Sequence, residues 1–372
     1  MCRKMIFSLF GALSSLMLVT PALSAERPDT GISGVFEVMV GVRDLEAGAA
    51  YFREFGFVEV DSASLSRAEA LEVYGVESAL TSVRMQNGAT ATHGLVRLLY
   101  WESPLSDGVG FAPPMTLGQR LSVMRTRDIF RLDDIFRDAK FTGEPWLVVE
   151  PVFDDLYAGT EGRLDFFNRR VGVRESSIYG SWFNHVFFQR YGYTIPGYGM
   201  IHDDSPLQTS EFTHHDFVIG GDIDEATAHY ETVLGFKREA EPVVNGSWQR
   251  GPQRIFQLEP GTSHWYVGFV SPNNVAGKLK FFVPRDPRGD RRRLALPGHL
   301  GMTIYSLYTP RIELVHELAS RHGLSPTPVR ENEFGEDSFL FIGPDGVAWQ
   351  VLRDDGQRGL PVDVFRIQPV GN

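Results

Sequence analysis

The stretch HHDFVIGGDIDEATAHYETVLGFKRE, residues 214–239, has an earlier double in EVMVGVRDLEAGAAYFREFGFVEV, residues 37–60. With Asp44 set over Asp222 the two run in step. Glu46 falls on Asp224, Ala50 on Ala228 and Phe52 on Tyr230. After a one-residue gap, Gly56-Phe57 falls on Gly235-Phe236. Each copy has one internal grammar. A short apolar run (Val38 to Val42; Phe217 to Ile219) predicts a strand. An Asp then stands where a helix N-cap belongs, and Glu225 three residues after Asp222 predicts a capping box. An amphipathic helix follows, Ala47 to Phe55 and Glu225 to Leu234, and Gly56 or Gly235 stops it. Seven residues before the capping Asp, one copy has Glu37 and the other His215.

Strand-like segments follow each helix: HGLVRLLYWESP (93–104) in the first copy and FQLEPGTSHWYVGFVSP (256–272) in the second. A β-α-β-β-β unit accounts for both. Two weaker copies fill the rest. LSVMRTRDIFRLDDIFRDAKF (121–141) predicts a strand, a cap at Asp128 and a helix, and SSIYGSWFNHVFFQ (176–189) closes that unit. GMTIYSLYTPRIELVHELASRHGL (301–324) predicts a strand, Thr309 as cap, Pro310 at the first helical position and a stop at Gly323. SFLFIGPDGVAWQVLR then reads as two strands around a Pro-Asp-Gly turn at 344–346.

The chain has 372 residues, 42% of them hydrophobic and 22% charged, enough for two cores. Its start is a short basic segment, MCRK, then the apolar run MIFSLFGALSSLMLVTP, then ALSA. That is the pattern of a secretory signal peptide, residues 1–25, and predicts an exported protein, periplasmic or secreted, with no membrane span once the leader is cut. Cys2 lies in the leader and is the chain's one cysteine, so the mature fold is held by its core rather than by disulfides. A net charge of −11 argues against nucleic acid as a partner. No Gly-rich phosphate loop is present, and no nucleotide cofactor is expected.

Four such units in series resemble the vicinal oxygen chelate superfamily, which includes glyoxalase I, the type I extradiol dioxygenases and the bleomycin-resistance proteins. The likeness is carried by VGVRDLEAGAAYFREFGF, DFVIGGDIDEATAHYETVLGF and FIGPDGVAWQVL. It implies an α+β fold of four βαβββ modules paired into two tandem domains, 33–205 and 210–356, with a tail at 357–372. In that family paired units curl their sheets into half-open cups, and a metal or ligand sits in the cup.

The resemblance also points to site residues. Family ligands come from an early residue on a unit's first strand and from a Glu or Gln on its last strand. His215 and Gln350 occupy such positions, and His299 stands near a third, where the matching residue is Met302. A divalent metal held there (Fe, Mn, Zn or Ni, which the sequence does not distinguish) implies a dioxygenase, lyase or isomerase with a degenerate ligand set. Glu37 fills the first-strand position of unit one as a candidate general base. Tyr191, Tyr193, Tyr198 and Tyr305 are candidate walls of an apolar pocket. The expected partner is a small organic molecule, aromatic or hydrophobic, and a homo-oligomer is compatible with the pattern. The alternative is a metal-free protein that binds or sequesters a hydrophobic small molecule, as bleomycin-resistance proteins do.

Overall fold

A computed structural model describes residues 27–140, 146–155, 163–164, 169–239, 241–356, 358, 362 and 368–369. The expected leader and most of the expected tail lie outside these residues. Unit one has its first strand at Glu37–Gly41, a helix at Leu45–Glu54 and strands at Phe57–Leu65, Leu80–Asn87 and Leu95–Trp101. Unit two begins with the strand Arg120–Thr126 and the helix Ile129–Lys140, and ends with Gly172–Tyr179 and Asn184–Tyr191. Unit three begins with Thr209–Val218 and the helix Ile223–Thr232, and ends with Ser263–Val270 and Lys278–Pro284. Unit four has Gly301–Thr309, the helix Ile312–Arg321, and strands at Arg330–Glu331, Asp337–Ile342 and Ala348–Arg353.

The helix boundaries follow the capping chemistry. The Asp44 carboxylate accepts from Ala47 N, and Asp222 accepts from both Asp224 N and Glu225 N. Gly56 and Gly235 adopt φ of 85° and 74°, the left-handed geometry that ends a helix at little cost only in glycine. A full capping box forms elsewhere, between Ser66 and Glu69, at the head of a helix Arg67–Tyr74 inserted after the second strand of unit one. The βαβββ pattern does not include this helix, and a shorter one, Arg250–Ile255, stands at the matching place in unit three.

The α+β architecture of four βαβββ units curled into two half-barrel sheets is present, and the way the units pair is nested. The first strand of unit one runs antiparallel to that of unit four, with Glu37 opposite Ser306. The first strand of unit two runs antiparallel to that of unit three, with Ser122 opposite His215. Within every unit the first strand lies parallel to the last. One sheet of eight strands therefore joins units one and four, and one of ten joins units two and three. The expected halves 33–205 and 210–356 do not correspond to these sheets, because each sheet draws on both halves. The reason lies in the repeat itself. Every unit offers the same unsatisfied first-strand edge, so the pattern demands a partner without naming which.

One face of each sheet turns toward the other sheet. A single apolar cluster holds Val38 and Val40 of unit one, Phe187 of unit two, Phe217 and Phe281 of unit three, and Trp349 of unit four. Helices stitch across this layer. Phe52 on the helix of unit one meets Phe183 edge-on at 5.1 Å, and Tyr230 on that of unit three meets Trp349 at 5.8 Å. Alternation along the strands puts the intervening residues on the outer, concave faces. Those faces are the two cups.

Candidate functional site: two cups of opposite character

In the first cup Glu37 projects from the first strand of unit one and is fully buried. It accepts from Arg84 Nε at 2.9 Å, from Ser306 Oγ at 3.1 Å and from Arg97 Nη2. Arg97, on the last strand of that unit, also donates to Glu333 at 3.0 Å, to Tyr74 Oη at 2.9 Å and to Gln350 Oε1 at 3.2 Å. Arg84 binds Glu336 at 2.8 Å as well. Glu333 and Glu336 arrive on the turn between the strands Arg330–Glu331 and Asp337–Ile342. Between them the Phe334 ring lies 4.2 Å from the Arg84 guanidinium and 5.0 Å from that of Arg97. Tyr74 comes from the inserted helix. Burial alone raises the Glu37 carboxyl, and Arg84 and Arg97 outweigh it and hold Glu37 below the usual range. Glu336 is held at about 2 against its own burial, by Arg84 before Arg97 and Arg358, the last of which also donates to it.

In the second cup the corresponding carboxylate is Asp216. Val38 and Phe217 both enter the inter-sheet core, as do Val40 and Ile219, so the residue before each pair member at the same register, Glu37 or Asp216, faces a cup. The link from strand to capping Asp is one residue shorter in unit three, Ile219 to Asp222 against Val40 to Asp44. Counting back from the cap therefore lands on the wrong face. Asp216, Glu175 and Lys280 line a hollow of about 150 Å³ together with Tyr266 and the aromatic walls Phe188, Phe256 and Phe282. Asp216 Oδ1 is buried there without a hydrogen-bond partner. Burial pushes Glu175 up to about 8 and Asp216 to about 6, in both cases against the pull of Lys280. Burial also acts to discharge Lys280, and Tyr266, Asp216 and Glu175 outweigh it and keep the ammonium charged. At neutral pH the cup floor then presents a protonated Glu175, an ionised Asp216 and a cationic Lys280. It is a set of two donors and one acceptor below an aromatic wall.

No protein-family description matches this chain, and no curated protein matches it. Among solved structures, a candidate dioxygenase from Bacillus subtilis strain 168 covers 88% of this chain and 87% of its own, with a TM-score of 0.52 at 10% identity. The chain has the vicinal oxygen chelate fold. Glyoxalase I from Zea mays covers 87% of this chain and 93% of its own at 14% identity and a TM-score of 0.47. A bleomycin resistance determinant encoded on transposon Tn5 covers 37% of this chain, at 14% identity and a TM-score of 0.24.

The vicinal oxygen chelate fold raises the question of a metal, and the described residues of the two cups do not fit one. In the first cup the oxygens that would bind an ion already accept from two guanidiniums. In the second, Asp154, Glu175, Asp216 and Asn245 line the hollow, but the Lys280 ammonium stands among them as their counter-charge and aromatic rings make up the rest of the wall. Among the described residues no three His, Cys, Asp or Glu side chains gather as an ion site.

The residues singled out in the sequence take several different places. His215 does not face a cup: it lies in the core between the sheets, its Nδ1 sharing a 2.8 Å hydrogen bond with Ser122 Oγ and its ring 5.2 Å from Tyr305. Gln350 does face the first cup, where it accepts from Arg97 and donates to Ser338. His299 precedes the first strand of unit four and is bound through Nδ1 to Ser106 Oγ at 2.7 Å, at the edge of an apolar hollow that also borders Tyr74 and Leu340. It bonds to neither His215 nor Gln350. Met302 stands opposite Val40, near the end of that strand, and Ser306 stands opposite Glu37, one residue beyond an even register because of an irregularity between Met39 and Val40. Tyr305 belongs to the inter-sheet core. Tyr193 and Tyr198 pack with Val171, Ile195 and Val270 in a small cluster of their own. The Tyr191 hydroxyl accepts from Arg174 at 2.7 Å. Arg84, Arg97, Glu333, Glu336, Glu175, Asp216 and Lys280 were not singled out. The one sequence signal for them was the run of charges inside otherwise apolar strands, such as Arg97 in LVRLLYW and Lys280 in KLKFFVP.

Proposed function

We propose that this protein binds a small organic molecule in the second cup without a metal, its apolar or aromatic body against Phe188, Phe256 and Phe282 and its oxygen-bearing head on Asp216, Glu175 and Lys280. One observation carries the reading. Asp216 Oδ1 is buried at the wall of a hollow with no protein partner, a state that costs about 1–3 kcal/mol or more unless something occupies the hollow. A phenol or a hydroxy-carbonyl compound supplies the matching donor for Asp216 and acceptors for Lys280 and protonated Glu175. The test is a thermal-shift screen of such compounds against the protein and its Asp216→Asn and Phe256→Ala variants. Hits that stabilise the parent and are lost in both variants support the reading; hits that survive both variants overturn it.

A second reading rests on the two carboxyls. Groups at about 6 and 8 in one hollow form a base and an acid at neutral pH, the pair that proton transfer next to a carbonyl requires. Deuterium entering a bound ketone from heavy water, at a rate that collapses in Glu175→Gln, is its signature. Export belongs to the same proposal, because the leader places the pocket outside the cytoplasm. Mass measurement of the protein recovered from a periplasmic or secreted fraction, starting after Ser24 or Ala25, tests it.

A further inference from the structure

The first cup has an unusual centre. Arg97 is fully buried, and its terminal nitrogens meet oxygens of Glu37, Glu333, Gln350 and Tyr74, with Glu336 at 4.0 Å. These oxygens come from the first strand of unit one, the inserted helix, the turn before the third strand of unit four and the last strand of unit four. They converge from four directions on one cationic point. A dense oxygen cage of that kind, with carboxylates on two sides and an amide oxygen on a third, is the donor set of a hard divalent cation. Arg84 closes a further side by binding Glu37 and Glu336, and Phe334 caps both guanidiniums.

We infer that the first cup carries its cation covalently: the Arg97 guanidinium sits where oxygens would otherwise gather round an ion, which makes this cup a closed structural centre with no vacancy for metal or ligand. The consequence is specific to these residues. Shortening Arg97 to Ala or Gly leaves Glu37, Glu333, Gln350 and the Tyr74 hydroxyl around a space with surplus negative charge. That emptied cage takes up a divalent cation. Buried carboxylates stripped of their partner are strongly destabilising, so the ion and the fold are linked in these variants.

The experiment uses Mn²⁺ as the probe, on the full chain, with calorimetry and the Mn²⁺ paramagnetic signal as readouts. The unaltered protein shows no Mn²⁺ binding that depends on Glu37. Arg97→Ala and Arg97→Gly each bind one Mn²⁺ and unfold at a higher temperature with it than without it. Adding Glu333→Gln weakens that binding by at least about tenfold. Arg97→Lys, which keeps a cation in the cage, binds none. A folded Arg97→Ala or Arg97→Gly protein that takes up no Mn²⁺ overturns the inference, as does Mn²⁺ binding by the unaltered protein that Glu37→Gln removes. If neither variant folds, the readout is refolding yield with Mn²⁺ or methylguanidinium added. Recovery with either supports the cage, and no recovery with both overturns it.

Discussion

A shift of one residue decides the chemistry of this chain. Asp216 and its neighbour His215 point to opposite faces, and the shorter link before Asp222 turns the histidine into the core and the carboxylate into the cup. In the core, His215 is held neutral, its pKa pushed down to about 3 by burial. His215→Ala therefore lowers stability by roughly 1–3 kcal/mol, the ordinary cost of a core truncation, and leaves compound binding in the second cup unchanged. Urea unfolding paired with the thermal-shift hits tests both halves; loss of binding in this variant places the imidazole in the pocket after all. Glu37 is the opposite case. Glu37→Gln leaves Arg84 and Arg97 short of a buried counter-charge, and the expected cost is about 3–5 kcal/mol by urea unfolding. A change of under about 1 kcal/mol, the range of an exposed ion pair, contradicts the burial described here.

A hairpin turn of unit four and the helix Arg67–Tyr74 close the first cup. The turn NEFGE (332–336) between Arg330–Glu331 and Asp337–Ile342 is braced by Asn332, whose Oδ1 accepts from Phe334 N at 2.9 Å and Glu336 N at 3.0 Å. That bracing sets Glu333, Phe334 and Glu336 on one side of the hairpin, over the arginines. The inserted helix Arg67–Tyr74 delivers Tyr74 from the other side and ends at Gly75 in the left-handed region, φ 70°. Its start is fixed by the Ser66–Glu69 box. Ser66→Ala removes the cap and costs about 1 kcal/mol in chemical unfolding, while leaving second-cup binding intact because the helix packs only on the first sheet's side. An effect on second-cup ligands equal to that of Asp216→Asn contradicts this separation of the cups.

At the scale of the whole molecule, nested pairing and a shared core make the two halves interdependent. Chains 27–206 and 207–372 expressed apart each lack a partner strand for two first strands and are expected to aggregate. Expressed together they are expected to assemble and co-purify with both sheets formed. Two soluble, cooperatively unfolding halves would show that units pair with their sequence neighbours. The same core makes the protein acid-sensitive. His185 and His215 titrate near 3 and His264 near 4 in the folded state, all lowered by burial, against about 6.5 in an unfolded chain. Between those values the unfolded chain binds more protons than the folded one, so stability falls as pH drops below about 6.5. Glu175 acts in the other direction: its folded value of about 8 lies above the unfolded one of about 4.5, so its contribution is lost progressively as pH rises from about 4.5 through 8. Three histidines outweigh it below about 6.5 and it acts alone above, so urea midpoints measured from pH 4 to 9 are expected to peak near pH 6.5.

How much of this was written in the sequence differs by level. Strand, capping Asp, helix and glycine stop are local chemistry, and the pattern around Asp44, Asp222 and Gly235 specified them because caps and periodicity depend on residues a few positions apart. Four units with exposed first-strand edges also required pairing into curled sheets. Glu37 and Gln350 lie in the first cup, but as partners of Arg84 and Arg97 across long stretches of chain, which the local pattern does not contain. What the tertiary structure decided was which edge met which, and therefore which side chains share a cup. Arg97 meets Glu333 across 236 residues and Gln350 across 253. No spacing rule reaches that far, and the facing of His215 and Asp216 turned on a link one residue shorter than its double. Sequence set the units and their hunger for partners; long-range strand pairing and core burial chose the partners, and with them the charge that fills each cup.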